Sequence, residues 1–245
     1  MTCVCARGLG PHPMDSAPDA RAHTIEPRVP QLQPTMFVDA IPELAAERLG
    51  VEHIVKLSAL GASDHSKSAI AREHWQVEQA LLSMRLQWTI LRPHAFMQNW
   101  LGDVAESVRA EGRIYSPIGD GRVPFIDTRD IAAVAAEVLL HSEAHLGKKY
   151  VLTGGTAVGF TDLAAALSEA TGRKITYRPI SMEEARARLA TQGVAAPAID
   201  AMLAIAAYQR DGGPTAMVSP TVQRLLGRAP RTMRDFARDY AASFR

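Results

Sequence analysis

The residues best suited to chemistry follow a short apolar segment near the middle of the chain. Residues 88–91 are aromatic, β-branched or aliphatic, which is typical of a buried strand, and Pro93 predicts its end because proline lacks an N–H for the sheet ladder. An imidazole at His94 and an amide at Asn99 come next. Ligands of open α/β sheets bind outside the carboxyl ends of strands, so residues 93–99 are the first place to expect a site.

The side chains in and near this segment differ in how strongly they indicate a binding role. Phe96 and Met97 suit a hydrophobic core as well as a pocket wall. Asn99 stands early in an otherwise apolar helix, where its amide needs a partner, and this favours a role in binding. Asp127 precedes a predicted helix, so its carboxylate could cap that helix or face the cleft.

Composition bounds the class of protein. The chain has 245 residues, 47% hydrophobic and 22% charged, which indicates one globular domain or one domain with a small lobe. The formal net charge of +1 provides no positive field for nucleic acid or an anionic membrane, and no apolar run approaches the ~18 residues of a membrane span. The N-terminus lacks the apolar region of a signal peptide, and Cys3 and Cys5 have no second ligand pair for zinc. We therefore expect a cytoplasmic protein with no metal and no nucleic-acid or membrane partner.

The first part of the chain differs from the rest. Residues 1–34 are rich in proline and show no apolar periodicity, which predicts a disordered arm, so the ordered domain is expected over residues 35–245. Gly8 and Gly10 resemble the start of a dinucleotide-binding glycine pattern, but Pro13 takes the third position and too few residues precede them for a strand. We do not expect a phosphate loop there.

The remaining sequence alternates strand and helix patterns, which predicts an α/β fold with a parallel sheet. Strands are expected at residues 53–57, 88–91, 113–116, 150–152 and 174–180. Helices are expected near residues 41–49, 69–84, 96–111, 129–141, 161–171, 196–208, 222–226 and 233–244, and one more begins after its cap at Ser181. Gly154 and Gly155 follow a strand but lack the phosphate-binding spacing, so we expect a turn there.

Several ordered blocks of the sequence carry a resemblance to a known family. They are S-A-L-G-A at 58–62, W-T-I-L-R-P at 88–93, F-M-Q-N at 96–99, G-D-G-R-V-P-F-I-D-T-R-D at 119–130, Y-V-L-T-G at 150–154 and G-R-A-P-R-T-M-R-D-F at 227–236. Over about residues 37–245 the chain resembles the NmrA-like family, an atypical branch of the short-chain dehydrogenases/reductases. The resemblance implies a Rossmann-like parallel sheet flanked by helices, with a small α/β C-terminal substrate lobe from about residue 155. It also implies NAD(P)H as cofactor, because some members reduce quinones or azo compounds and others sense the nucleotide without turnover.

The resemblance also implies a site. In the superfamily a serine ends the central strand and Y-x-x-x-K lies on the next helix; Ser58 matches the serine, while Ile70 and His74 fall at the tyrosine and lysine positions. Isoleucine cannot donate a proton, which disfavours carbonyl–alcohol chemistry, whereas quinone or azo reduction needs only hydride and solvent protons. His74 equally fits a surface histidine. The implied catalytic residues are Ser58 and His74, the implied cofactor contacts are Ser58, Ala59, His74, Pro93, His94 and Phe96, and the implied substrate contacts are Met97, Asn99 and Asp127.

The sequence departs from the family pattern at its start. Three βα units need about 90 residues, but only residues 1–52 precede the strand at 53–57, so at least two units and the phosphate-binding helix N-terminus are expected to be missing. Three functions follow as alternatives: a reductase of small-molecule electrophiles, a non-catalytic nucleotide-sensing or protein-binding regulator, and a truncated remnant that binds no dinucleotide. An open apolar sheet edge would also favour a homo-oligomer.

Overall fold

The computed structural model describes residues 3–6 and 51–245. The strands in these residues are β1 (Cys3–Ala6), β2 (His53–Leu57), β3 (Gln87–Pro93), β4 (Arg113–Ser116), β5 (Lys148–Leu152) and β6 (Thr176–Pro179). The main sheet has the order β1-β2-β3-β5, and β4 with β6 forms a second, two-stranded parallel sheet. β2, β3 and β5 are parallel, whereas β1 is antiparallel to β2.

Helices surround both sheets. They are α1 (Ala69–Leu82), α2 (Asp103–Glu111), α3 (Thr128–Leu140), α4 (Phe160–Thr171), α5 (Met182–Thr191), α6 (Ala196–Arg210), α7 (Thr221–Leu226) and α8 (Met233–Asp239). Short 3-10 helices lie at Met97–Leu101, Ser142–His145, Gly213–Ala216 and Ala241–Phe244. Within the part of the chain that the structure describes, no helix combines the length and hydropathy needed to cross a bilayer.

The predicted α/β architecture is confirmed, and β3 lies inside the sheet with β2 on one side and β5 on the other.

The prediction of a single long helix after residue 96 is wrong. The chain instead forms the 3-10 helix Met97–Leu101 and then α2, because Gly102 between them has φ −86° and ψ −120°, outside the helical region. Gly112 ends α2 with φ +65°, as its position predicted.

The start of the chain contributes one strand to the main sheet. Cys3–Ala6 pair with β2, from Cys3 opposite Lys56 to Ala6 opposite His53, and so cover one edge of β2. The disordered arm expected over residues 1–34 stays a prediction. The other residues of the predicted arm, including Gly8, Gly10 and Pro13, and the helix expected near 41–49 lie outside the described residues.

Groups of buried apolar side chains hold the layers together in the part of the chain that the structure describes. One face of the main sheet packs against α3 and α7 through residues such as Leu91, Val134 and Val222, and the other face packs against α1 through Ile90 and Leu81. The largest group lies beyond the sheet, where Trp100, Phe125, Phe236 and others gather among α2, α4, α8 and β4. Residues after 155 contact both sheets, since β6 pairs with β4 in the two-stranded sheet and α7 packs on the main sheet. Their division into a separate substrate lobe stays a prediction.

A buried carboxylate joins three strands to α1. Glu78 of α1 is fully buried and accepts hydrogen bonds from Ser58 Oγ (2.5 Å), from Arg92 Nε (2.9 Å) and Nη2 (2.5 Å), and from Lys149 Nζ (3.3 Å). Burial alone raises the pKa of Glu78, but the hydrogen bonds from Arg92, Ser58 and Lys149 outweigh it and hold this pKa below its ordinary value. Glu78 is therefore ionised and ties the carboxyl ends of β2 and β3 to the helix.

Two buried histidines lie on the opposite face of the sheet. Thr89 Oγ1 donates to the His145 carbonyl (2.7 Å), so it accepts from His53 Nε2 (2.9 Å), and the proton of His53 is on Nε2. His53 Nδ1 then has no partner among the described residues. Burial lowers the pKa of both His53 and His145, and the proximity of His145 lowers that of His53 further.

We expect Glu78→Gln to lower the free energy of unfolding by about 2 to 3 kcal/mol, because it leaves Arg92 and Lys149 without a counter-charge. The loss of free energy is moderated because the side chains of Arg92 and Lys149 are 23% and 36% exposed to water. Urea unfolding measures the change. Glu73→Gln, an exposed position on the same helix, should alter the free energy by less than about 0.5 kcal/mol. Equal effects of the two substitutions would contradict the assigned role of Glu78.

We expect the free energy of unfolding to decrease as the pH falls from about 7 to about 5. Because the folded-state pKa of His53 and His145 lies below the ordinary 6.5, the unfolded chain binds protons first as the pH falls. In His53→Gln the slope should become shallower by at most about 1.4 kcal/mol per pH unit. His65→Gln, at a side chain that is 91% exposed, is the control and should retain the wild-type slope. An unchanged slope in His53→Gln would show that His53 does not contribute.

Candidate functional site

A cavity of about 570 Å³ lies between the aromatic core group and the pair of helices α5 and α6. Its aromatic wall consists of Trp100, Tyr115, Phe125 and Phe160, and its aliphatic wall is formed chiefly by Ala185, Leu189, Met202, Leu203, Ile205 and Ala206. Cavities of this size, mainly apolar with a few polar groups, are typical sites for small organic ligands. The cavity can therefore hold a molecule of one or two aromatic rings.

The cavity adjoins the end of β3, where the sequence predicted a site. After Pro93 the chain is held by backbone hydrogen bonds from Ile126 N to the Ala95 carbonyl (3.0 Å) and from Met97 N to the Ile126 carbonyl (2.9 Å). The 3-10 helix Met97–Leu101 that follows places Asn99 and Trp100 in the cavity wall. Trp100 packs edge-on against Phe125 at 4.7 Å between ring centroids, which fixes this wall.

Polar groups line the cavity at several points. They are Asn99, Asp103, Ser107, Ser116, Arg188, Gln192 and Gln209. Among the described lining residues, Asp103 carries the only carboxyl group; desolvation raises its pKa above the ordinary value, partly opposed by a hydrogen bond from the Val104 N–H. The Tyr115 hydroxyl donates to Glu111 and so is not free to serve a ligand as a donor.

Of the three predicted substrate residues, only Asn99 lines the cavity, where its side chain is exposed. Met97 is buried in the aromatic core group. Asp127 is fully buried and caps α3, accepting from Arg129 N (2.9 Å), from the Arg129 guanidinium (2.7 Å) and from Gln98 Nε2 (2.9 Å). The capping role of Asp127 is confirmed, and the structure does not bring Met97 or Asp127 to the cavity because packing and ionic contacts hold both elsewhere.

The residues predicted beside the nicotinamide at the end of β3 are largely engaged by the protein. His94 Nδ1 accepts from Ala95 N (2.6 Å), so Nε2 carries the proton and donates to the Thr215 carbonyl (3.0 Å). Burial lowers the pKa of His94, which keeps the ring neutral. Pro93 is buried, and Phe96 is half-buried against the apolar side chains that pack α3 and α7 on the main sheet. His94 therefore connects the end of β3 to the 3-10 helix at Gly213–Ala216.

Ser58 and His74 lie near the α1 side of the main sheet and do not line the cavity. The Ser58 hydroxyl is buried and donates to Glu78, so its proton is already used. His74 is half-buried, and burial together with the nearby Lys56 lowers its pKa to about 4. His74 is thus neutral at neutral pH, unlike the lysine of the superfamily pattern. The catalytic roles of Ser58 and His74 stay predictions.

The residues predicted to contact the nicotinamide half of a dinucleotide are compatible with it. Ala59 follows β2, Phe96 follows β3 and His74 lies in α1. All three are neutral and partly exposed, and their contacts with a nicotinamide ring and its ribose stay a prediction. Gly154 has a packing role instead, because a Cβ there would lie 2.1 Å from the Phe125 carbonyl oxygen. Among the described residues we find no glycine-rich turn that would receive the phosphates.

Three roles were not predicted from the sequence: the ionic contacts of Glu78 and the places of Arg188 and Gln209 in the cavity wall. For Glu78 a signal was present, since Ala71, Glu78 and Leu81 are spaced to share the buried face of α1. Arg188 and Gln209 come from α5 and α6, and their place in the wall depends on how these helices pack against each other and against the aromatic core group. No local pattern indicates that placement.

Comparison with known proteins places the chain in a family. The model of the NmrA-like family matches residues 38–237. The NAD(P)H azoreductase of Xenophilus azovorans is 36% identical over 200 residues, which are 82% of this chain and 69% of that protein. The NADPH-dependent quinone oxidoreductase of Escherichia coli, solved with NADPH, is 28% identical with a TM-score of 0.70 over 80% of this chain and 68% of that one.

Citrobacter sp. triphenylmethane reductase in complex with NADP(H) is similar to the same degree, with 27% identity and a TM-score of 0.70 over 81% of this chain and 68% of that one. The chain therefore spans about two-thirds of the length of these relatives. The family match and the parallel main sheet indicate the same fold. This chain belongs to the NmrA-like family and has its Rossmann-like α/β fold.

Proposed function

We propose that this protein is an NAD(P)H-dependent oxidoreductase that transfers hydride to a small planar electrophile such as a quinone or an azo compound. The family and the relatives support this proposal, because an azoreductase and a quinone oxidoreductase are among the similar proteins. The cofactor of these relatives is named as NAD(P)H or NADPH, which supports the same cofactor here.

The observation that carries the proposal is the cavity beside the end of β3. Trp100, Phe125 and Phe160 form a rigid aromatic wall, and the side chains of α6 close the opposite side. A flat ring can stack in such a space and gain free energy by burying apolar surface. The wall includes Asn99, whose exposed amide can donate to a quinone oxygen or an azo nitrogen.

The residues near the cavity explain why this chemistry suits the chain. NAD(P)H supplies the hydride when bound, and Ala59, His74 and Phe96 would hold its nicotinamide end. Ile70, at the position of the superfamily tyrosine, is 43% exposed and has no proton to give. The protons for a reduced quinone or azo compound therefore come from solvent, which this chemistry permits at neutral pH.

A non-catalytic nucleotide-sensing regulator is the second candidate. It is favoured by Ile70 and by the Ser58 hydroxyl, which donates to Glu78 and is therefore not free to bind a reacting carbonyl. This candidate implies that the chain binds NADPH without consuming it in the presence of quinones.

Self-association through a sheet edge and a cytoplasmic location also stay proposals. At β5, the last strand of the described main sheet, Lys148 and Lys149 disfavour pairing with the edge of another sheet.

The proposed reaction is tested by following NADPH absorbance with the full chain and a naphthoquinone or an azo dye. We expect saturable oxidation of NADPH that depends on both protein and electron acceptor. Binding of NADPH with no turnover would favour the regulator, and no binding at all would favour the truncated remnant.

We expect Ala206→Phe, which fills the cavity from α6, to raise the KM for the quinone about 10-fold or more, because a flat ring no longer fits. Ala204→Phe, on the same helix but not among the lining residues, is the matched control and should leave KM within about 2-fold. Similar kinetics in the two variants would show that the substrate binds elsewhere.

A further inference from the structure

One cation lines the cavity. Among its described lining residues, Arg188 of α5 is the only arginine or lysine. Its guanidinium carbon lies 3.9 Å from the centroid of the Tyr115 ring, within the range of a cation–π contact. Tyr115 also lines the cavity, so the stacked pair forms part of its wall.

Within the described residues, the guanidinium of Arg188 makes no hydrogen bond. Its neighbours are paired, since Arg186 contacts Asp200 at 2.6 Å and Arg178 contacts Glu184 at 3.7 Å. Over residues 51–245 no hydrogen bond or ion pair within 4 Å engages the Arg188 guanidinium. The nearby Asp103 carboxylate attracts the Arg188 guanidinium electrostatically, but the two groups form no ion pair within 4 Å. Arg188 therefore keeps its N–H donors available at a largely apolar wall.

A stacked guanidinium with available donors is well prepared to bind an oxyanion. Stacking on Tyr115 restricts the plane of the group, so less conformational entropy is lost when two parallel N–H donors meet a carboxylate, sulfonate or phosphate. Partial burial reduces competition from water and strengthens the attraction. The aromatic wall of Trp100 and Phe125 lies in the same cavity and would hold the ring that carries the charge.

We infer that Arg188 determines substrate specificity by binding an anionic substituent, a carboxylate, sulfonate or phosphate, on an aromatic substrate. This inference rests on the proposed function, since it names the substrate class of the same cavity. Asp103 opposes the effect, because its carboxylate lies at the same wall and repels an anion. The alternative is a purely structural role, in which Arg188 only packs α5 against Tyr115.

Direct binding separates these roles without requiring turnover. Calorimetry with the full chain compares naphthalene sulfonate, naphthoate and naphthyl phosphate with neutral naphthol, which shares their ring. We expect at least one of the anions to bind about 10-fold or more tightly than naphthol, and the tightest of the three identifies the preferred group. Arg188→Gln should abolish this preference while naphthol affinity changes less than about 2-fold, and Arg188→Lys should retain part of it.

Two further variants sharpen the test. Asp103→Asn keeps the hydrogen bond from the Val104 N–H and removes a negative charge, so it should strengthen anion binding. Arg186→Gln, on the same helix but outside the cavity lining, should leave all affinities unchanged. Equal loss of naphthol and anion affinity in Arg188→Gln would show the structural role and overturn the inference, as would anion affinities no greater than that of naphthol in the wild-type chain.

Kinetics then distinguish this inference from the proposed reaction. With naphthoquinone and naphthoquinone sulfonate as acceptors, Arg188→Gln should lower kcat/KM about 10-fold or more for the sulfonate alone. Turnover of both acceptors with no effect of Arg188→Gln would overturn the inference and leave the reductase standing. Absence of turnover with either acceptor, while the anion preference in binding persists and is lost in Arg188→Gln, would overturn the reductase and leave the anion site standing.

Discussion

The ionised carboxylate of Glu78 is the constraint on which the site end of the sheet depends. A charge that is fully removed from water is tolerated only when its partners compensate for the lost hydration. Here Ser58 at the end of β2, Arg92 in β3 and Lys149 in β5 all donate to it, so three strands and α1 share one anchoring point. The segment that follows β3 begins from this fixed position and carries the first wall of the cavity. The same contact gives Ser58 a structural role, because its hydroxyl proton is directed at Glu78.

Local patterns in the sequence were sufficient for the parts of the fold that local physics determines. The apolar run before Pro93 predicted the central strand, and the carboxylate before α3 predicted the cap that Asp127 forms. Asn99 was predicted to bind substrate, because an amide in an apolar helix needs a partner. Asn99 lines the cavity, and its role in binding stays a prediction. The family resemblance added that the sheet is Rossmann-like, which local patterns do not contain.

Contacts between residues far apart in the chain determined what the sequence did not predict. In α1 the apolar Ile70 is 43% exposed, whereas the buried face carries Glu78, whose partner Lys149 is 71 residues away. The far wall of the cavity depends on the packing of α5 against α6 and on the contact of Ala206 with the aromatic core group, and the stacking of Arg188 on Tyr115 exists only once these helices are in place. His94 and Asp127 have the chemistry of ligand-binding groups, but Thr215, Gln98 and Arg129 occupy their polar atoms.

The account requires that substrate and nicotinamide meet at the carboxyl end of β3, with the substrate ring against the aromatic wall. The most direct test is a crystal structure of the full chain with NADPH and a non-reducible quinone analogue. We predict density for the analogue ring between Trp100 and α6, with the nicotinamide ring beside Phe96 at the end of β3. An analogue bound outside the cavity, or a nicotinamide ring on another part of the sheet, would contradict the account.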